Sequence, residues 1–139
     1  MIRRSMLGLV GMCMALGLSA SAAEPGVEGA RVFELRTYTA APGKLEELHR
    51  RFREHTLKFF ERHGMVNIGY WSPEAAPAST NTIVYLLAHE SKAAADKSWA
   101  AFSADPEWQK VKRASETNGS LVTKVESVFL DPTDYSPMR

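Results

Sequence analysis

Two strand-borne charges offer the clearest chemistry in this chain. Glu34 and Arg36 stand two residues apart in VFELRTYT, and alternation along a strand puts both on one face with about 7 Å between their Cα atoms. Their side chains can therefore meet, and neither charge tolerates burial alone. One reading is a structural ion pair at a dimer interface. The other is that Arg36 binds an acidic ligand, with the hydroxyl of Tyr38 or Tyr70 as its partner. Arg36 and Tyr38 are for the same reason candidate catalytic residues.

Histidines come next. His49, His55 and His63 lie on or beside the apolar side of one helix. Their spacings of six and eight do not match the three or four that a helical metal pair needs, and His49 and His63 stand about 21 Å apart along the axis. No joint metal site is expected. His55 flanks Leu48 and Phe52 and is a candidate proton shuttle or lone axial ligand facing an internal cavity; a satisfied core histidine is the alternative. Tyr70 and Trp71 end a strand and are candidate ligand walls with Glu34, Arg36, Tyr38 and His55. Trp71, Trp99 and Trp108 read otherwise as packing residues. His89 and Glu90, at a strand end, are expected to face solvent. Gly-rich phosphate loops, serine elbows and His-Glu-x-x-His are absent from the sequence, so it names no catalytic set and no cofactor.

The elements that position these residues follow from periodicity. A strand over Arg31–Thr39 places Phe33, Leu35 and Thr37 on one face and Val32, Glu34, Arg36 and Tyr38 on the other. Ala41-Pro42-Gly43 turns the chain. The spacing then predicts a helix over Lys44–His63, with Leu45, Leu48, Phe52, Thr56, Phe59 and His63 on its apolar stripe. Glu46, Glu47, Arg50, Arg51, Arg53, Glu54, Lys58 and Glu61 fall on the opposite side, and Gly64 is placed to cap the C-terminus. Strands are expected over Met65–Trp71, Thr82–His89 and Leu121–Leu130. Between the last two, Ser91 caps a helix carrying Ala95, Trp99 and Phe102, and Asp105-Pro106 restarts it. Thr133–Arg139 is a tail.

The order is βαββαβ, an α+β, ferredoxin-like arrangement with one antiparallel sheet and two helices on one face. Ile83, Tyr85 and Leu87 alternate with Val84, Leu86 and Ala88, so the third strand is apolar on both faces. The face without helices needs a cover. A second copy of the same sheet supplies it most simply, so two protomers are expected to form a dimeric α/β barrel.

The 139 residues hold one domain preceded by a leader. Arg3-Arg4, the apolar run Leu7–Leu18 and Ala20-Ser21-Ala22 form a secretory signal over residues 1–22. A Sec-type route to the periplasm or the exterior is expected, with twin-arginine export as the variant. Residues 23–31 read as a flexible lead-in and 32–137 as the folded domain. Cleavage removes Cys13, the single cysteine, and takes Lys plus Arg from 17 to 15 against 16 acids. The mature net charge of −1 excludes an electrostatic case for nucleic acid or an anionic membrane. No stable membrane insertion is expected once the leader is removed.

Four blocks, Glu34-Leu35-Arg36-Thr37-Tyr38, Pro42-Gly43-Lys44, Gly69-Tyr70-Trp71 and Ala104-Asp105-Pro106-Glu107-Trp108, resemble the NIPSNAP domain family in order and spacing. The likeness runs over about 32–137. It implies a dimeric α/β barrel of the superfamily that includes cofactor-independent monooxygenases and haem-degrading enzymes. The family supplies no catalytic set to transfer, and this chain departs from its mitochondrial and vesicle-associated animal members by its leader and single short domain. Two functional readings remain: a homodimer that binds a small apolar or aromatic ligand or a protein partner, and a monooxygenase-like or haem-binding enzyme.

Overall fold

A computed structural model describes residues 31–139. The expected leader at 1–22, and all but the last residue of the lead-in at 23–31, lie outside the described residues.

Four strands, β1 (Val32–Ala40), β2 (Val66–Trp71), β3 (Thr82–His89) and β4 (Val122–Leu130), form one antiparallel sheet in the order β2-β3-β1-β4. That order is the ferredoxin-like one, with each β–helix–β unit split by an intervening strand. The first crossover is a single helical rod in three parts: α1 (Leu45–Arg51), a π turn (Phe52–Thr56) and α2 (Leu57–Arg62). The second consists of α3 (Lys92–Ala104) and α4 (Pro106–Ser115).

Local chemistry sets the boundaries. Ser91 accepts from the Ala94 amide at the start of α3, and Asp105 accepts from the Glu107 and Trp108 amides at the start of α4, with Pro106 at its first position. After α2, Gly64 takes φ +78°, its amide reaches the Glu61 carbonyl, and the Met65 amide reaches that of Phe60. This paired closure needs a left-handed residue, and its apolar contact is made by Phe60 and Met65, both buried.

Strand register decides what faces the helices. Glu34 stands opposite Leu87 and Phe129, Arg36 opposite Tyr85 and Ser127, and Tyr38 opposite Ile83 and Val125. All of these share the helix-covered face, where Ile83, Tyr85 and Leu87 meet Leu48, Phe52, Phe60 and Phe102 in the core. The opposite face carries Leu35, Leu86, Val66, Trp71, Val128 and Leu130, the last four exposed.

Two expectations about this rod and sheet are corrected. The helical rod is not a uniform α-helix, and Phe60 rather than His63 occupies its buried stripe. Trp71 is not a packing residue: it is 54% exposed, with its ring lying along the strand over Gly69, where an added Cβ would come within 2.5 Å of the indole.

Candidate functional site

Beneath α3, Glu34 is only 1% exposed and accepts four hydrogen bonds. Oε1 takes Arg36 Nη1 at 2.5 Å and Ser127 Oγ at 2.7 Å; Oε2 takes Trp99 Nε1 at 2.7 Å and His89 Nε2 at 2.9 Å. A carboxylate offers about four acceptor positions, and all are engaged. Burial by itself would raise the Glu34 carboxyl, but the hydrogen bonds from His89, Ser127, Trp99 and Arg36 outweigh it and hold the pKa at about 2. Glu34 is thus an anion with no lone pair to spare. It is a fixed counter-charge and not a proton acceptor. Because it is ionised, His89 Nε2 carries the hydrogen of that bond.

The group it fixes is Arg36. Its Nε donates to Tyr85 Oη at 3.0 Å and its Nη2 to Tyr38 Oη at 3.5 Å, while Cζ lies 4.1 Å from the Trp99 ring centroid. Three of its five N–H groups are engaged, and its side chain remains 14% exposed. Burial would lower its pKa; Tyr85 and Tyr38, together with the Glu34 bond, raise it above the ordinary arginine value. Burial also pushes the Tyr85 phenol well up, so its hydroxyl keeps its proton. Arg36 is a permanent cation stacked on an indole.

Arg36 and Tyr38 open onto a cleft of about 560 Å³ between the β1–β4 side of the sheet and α3–α4. Trp99, Phe102, Trp108 and Val125 supply its apolar walls, and Lys112 and Lys124 belong to its lining. Arg51 joins them. It donates from Nη1 to Glu116 at 2.9 Å and Ser115 at 3.2 Å, with Cζ 5.4 Å from the Trp108 ring centroid. Arg51 is 6% exposed, which corrects its expected place on the polar side of the helix. Helical spacing is the reason: Arg51 and Phe52 stand three and four residues after the buried Leu48, so a regular helix places them on either side of it on the inner face. The π turn begins only after Arg51, where the Leu57 amide reaches the Phe52 carbonyl and Thr56 Oγ1 donates to the Arg51 carbonyl at 3.2 Å.

The remaining candidates lie elsewhere. His55 is 3.8 Å from Glu54 and lines a separate groove between the first helical rod and α4. Glu47, Arg50, Glu54, Glu107 and Lys110 make the walls of that groove charged, so it does not fit a flat apolar macrocycle with His55 as axial ligand. Tyr70 stacks on Tyr85 at 5.3 Å, donates to Asn67 at 2.5 Å, and lines with Trp71, Phe52 and His49 a smaller pocket of about 240 Å³. Burial, with Glu61 and Tyr38, raises its phenol. His63 is bound to Asp105 at 2.8 Å. The structure therefore joins Glu34, Arg36 and Tyr38, brings Tyr70 against them through the Tyr85 ring, and leaves His55 and Trp71 apart.

Two expectations fail at this site. The Glu34–Arg36 pair faces the helices, not the open sheet face where a partner protomer would pack. His89 is 2% exposed and bonded to Glu34 instead of facing solvent, whereas Glu90 is exposed. The strand parity that groups Ile83, Tyr85 and Leu87 also takes in His89, which is the one signal the sequence carries, whereas Ser127 comes beside Arg36 only through the β1–β4 pairing.

Fold and cleft together define an α+β protein with a ferredoxin-like sheet and a basic, aromatic-walled cavity under its second helical layer. The chain belongs to the NIPSNAP family, whose model matches residues 33–137. A search of curated proteins finds no match. Among solved structures the chain is similar to a NIPSNAP family protein of unknown function from Agrobacterium tumefaciens, at 22% identity and TM-score 0.68, over 80% of this chain and 96% of that one. It is also similar to a NIPSNAP-like domain protein from Burkholderia xenovorans, at 24% identity and TM-score 0.67, over 78% and 90%. A second Agrobacterium tumefaciens family member gives 24% identity and TM-score 0.68, over 78% and 99%. These likenesses bear on the fold.

Proposed function

We propose that this chain is an exported, homodimeric binding protein whose cleft takes a small planar aromatic molecule bearing an acidic group. One observation carries the reading: a guanidinium clamped by a saturated carboxylate and stacked at 4.1 Å on Trp99 forms part of the wall of a 560 Å³ cleft. Small-molecule sites run from about 300 to 1,000 Å³ and combine apolar walls with a few fixed polar groups. Arginine presents a planar fork suited to a carboxylate, and its pairing with Glu34 limits the entropy lost on binding. The indole and phenyl walls favour a flat body. Dimerisation is supported by the exposed apolar residues on the open sheet face, and export by the leader pattern.

Calorimetric titration of the mature chain with naphthoate and with naphthalene methanol tests the ligand reading, since the two share a ring body and differ in charge. Naphthoate should bind at least about tenfold tighter, a difference of ~1.4 kcal/mol, and Arg36→Lys, which keeps the charge but loses the fork, should erase most of that margin. Equal affinities for acid and alcohol would sink the reading.

A further inference from the structure

The cleft has two cationic ends. Trp99, Phe102 and Trp108 form a row, with ring centroids 5.7 Å apart for the first pair and 4.5 Å for the second. Arg36 Cζ lies 4.1 Å from the Trp99 centroid at one end, and Arg51 Cζ lies 5.4 Å from the Trp108 centroid at the other. All five residues line the same cleft.

The far guanidinium is under-used. Arg51 spends Nη1 on Ser115 and Glu116, while its buried Nε meets no acceptor among the described residues. A buried donor without a partner costs about 1–3 kcal/mol, so a second acidic group arriving at this end would relieve a deficit that the protein leaves open. Glu116 does not cancel the end, because Lys112 stands 3.9 Å from it.

We infer that the ligand carries two acidic groups separated by a flat apolar body, one held by Arg36 and the other by Arg51, with the body lying along the Trp99–Phe102–Trp108 row. This rests on the proposed ligand-binding role of the cleft and narrows it from an aromatic acid to a long aromatic diacid. A ligand with one acidic end would satisfy Arg36 and leave Arg51 as it is.

The test compares naphthoate with a naphthalene dicarboxylate whose acid groups lie at opposite ends of the rings, by calorimetry on the mature chain. The diacid should bind the unaltered protein about tenfold or more tightly than the monoacid. In Arg51→Met/Glu116→Gln, which removes the charge without stranding its partner, the diacid should fall to the monoacid's affinity, with circular dichroism confirming the fold. Binding of the monoacid with no gain for the diacid would overturn the inference and leave the aromatic-acid reading standing. A diacid advantage that survives in the double variant would also overturn it, by assigning the second end to the lysines. Failure of both compounds to bind would overturn the inference together with the reading beneath it.

Discussion

Glu34 shows at the residue scale how much one carboxylate can organise. It gathers donors from its own strand, β3, β4 and α3 onto two oxygens, and so fixes both the guanidinium and the indole of the cleft wall. The sign of its pH dependence follows from its depressed pKa. The stabilisation is fully present above the model-peptide value near 4.5 and is lost as pH falls from there toward about 2. That depression corresponds to about 3 kcal/mol. Urea melts between pH 6 and pH 3 should show the protein losing stability below pH 4.5, while Glu34→Gln starts lower and falls less steeply; parallel curves would refute this. Removing one partner of the pair is a separate matter. Arg36→Ala alone should cost about 3–5 kcal/mol because it strands a buried charge, and Glu34→Ala/Arg36→Ala should recover part of that loss. Additive losses in the two single variants would show that the groups are not coupled.

The π turn governs the first crossover at the scale of the element. Positions 48, 52, 56 and 60 are buried in succession, four residues apart, a spacing a regular helix of 3.6 residues per turn cannot hold on one face for long. The extra residue absorbs the drift. It brings Phe60 against Trp99 at 5.3 Å and Phe102 at 5.2 Å, while His63 is carried outward to Asp105. Phe60→Ala should therefore cost about 3–5 kcal/mol in denaturant unfolding, as for other fully buried phenylalanines, and His63→Ala clearly less. The reverse ranking would mean that the rod follows the regular stripe after all.

For the whole molecule, the sheet separates two jobs. Its helix-covered side holds the cleft, and its other side exposes Val66, Trp71, Val128 and Leu130. The proposed dimer buries this open face and leaves the cleft untouched. Val128 is 53% exposed toward the C-terminal end of β4, and in a two-fold interface a charge placed there is introduced twice. Val128→Glu should weaken the dimer by roughly a hundredfold or more, giving a monomer in sedimentation velocity with an unchanged far-ultraviolet spectrum and unchanged naphthoate affinity. An unaltered dimer would place the interface elsewhere.

Period and punctuation in the sequence determined most of the architecture. Alternation in ELRTY and TIVYLLAH, the glycine at 64 and the Ser91 and Asp105 caps were enough for the element order, the strand parity and the grouping of Glu34, Arg36 and Tyr38. These are local signals, written within a few residues of the structure they specify. The tertiary structure decided which face of the sheet the helices cover, and with it the surroundings of the ion pair. It brought His89, Trp99 and Ser127, remote in sequence, onto the oxygens of Glu34. It also introduced the π turn, which is favoured only when the packing around Phe52 and Phe60 outweighs the regular helical bonds it gives up. Contacts between distant segments have no signature in the spacing of either one.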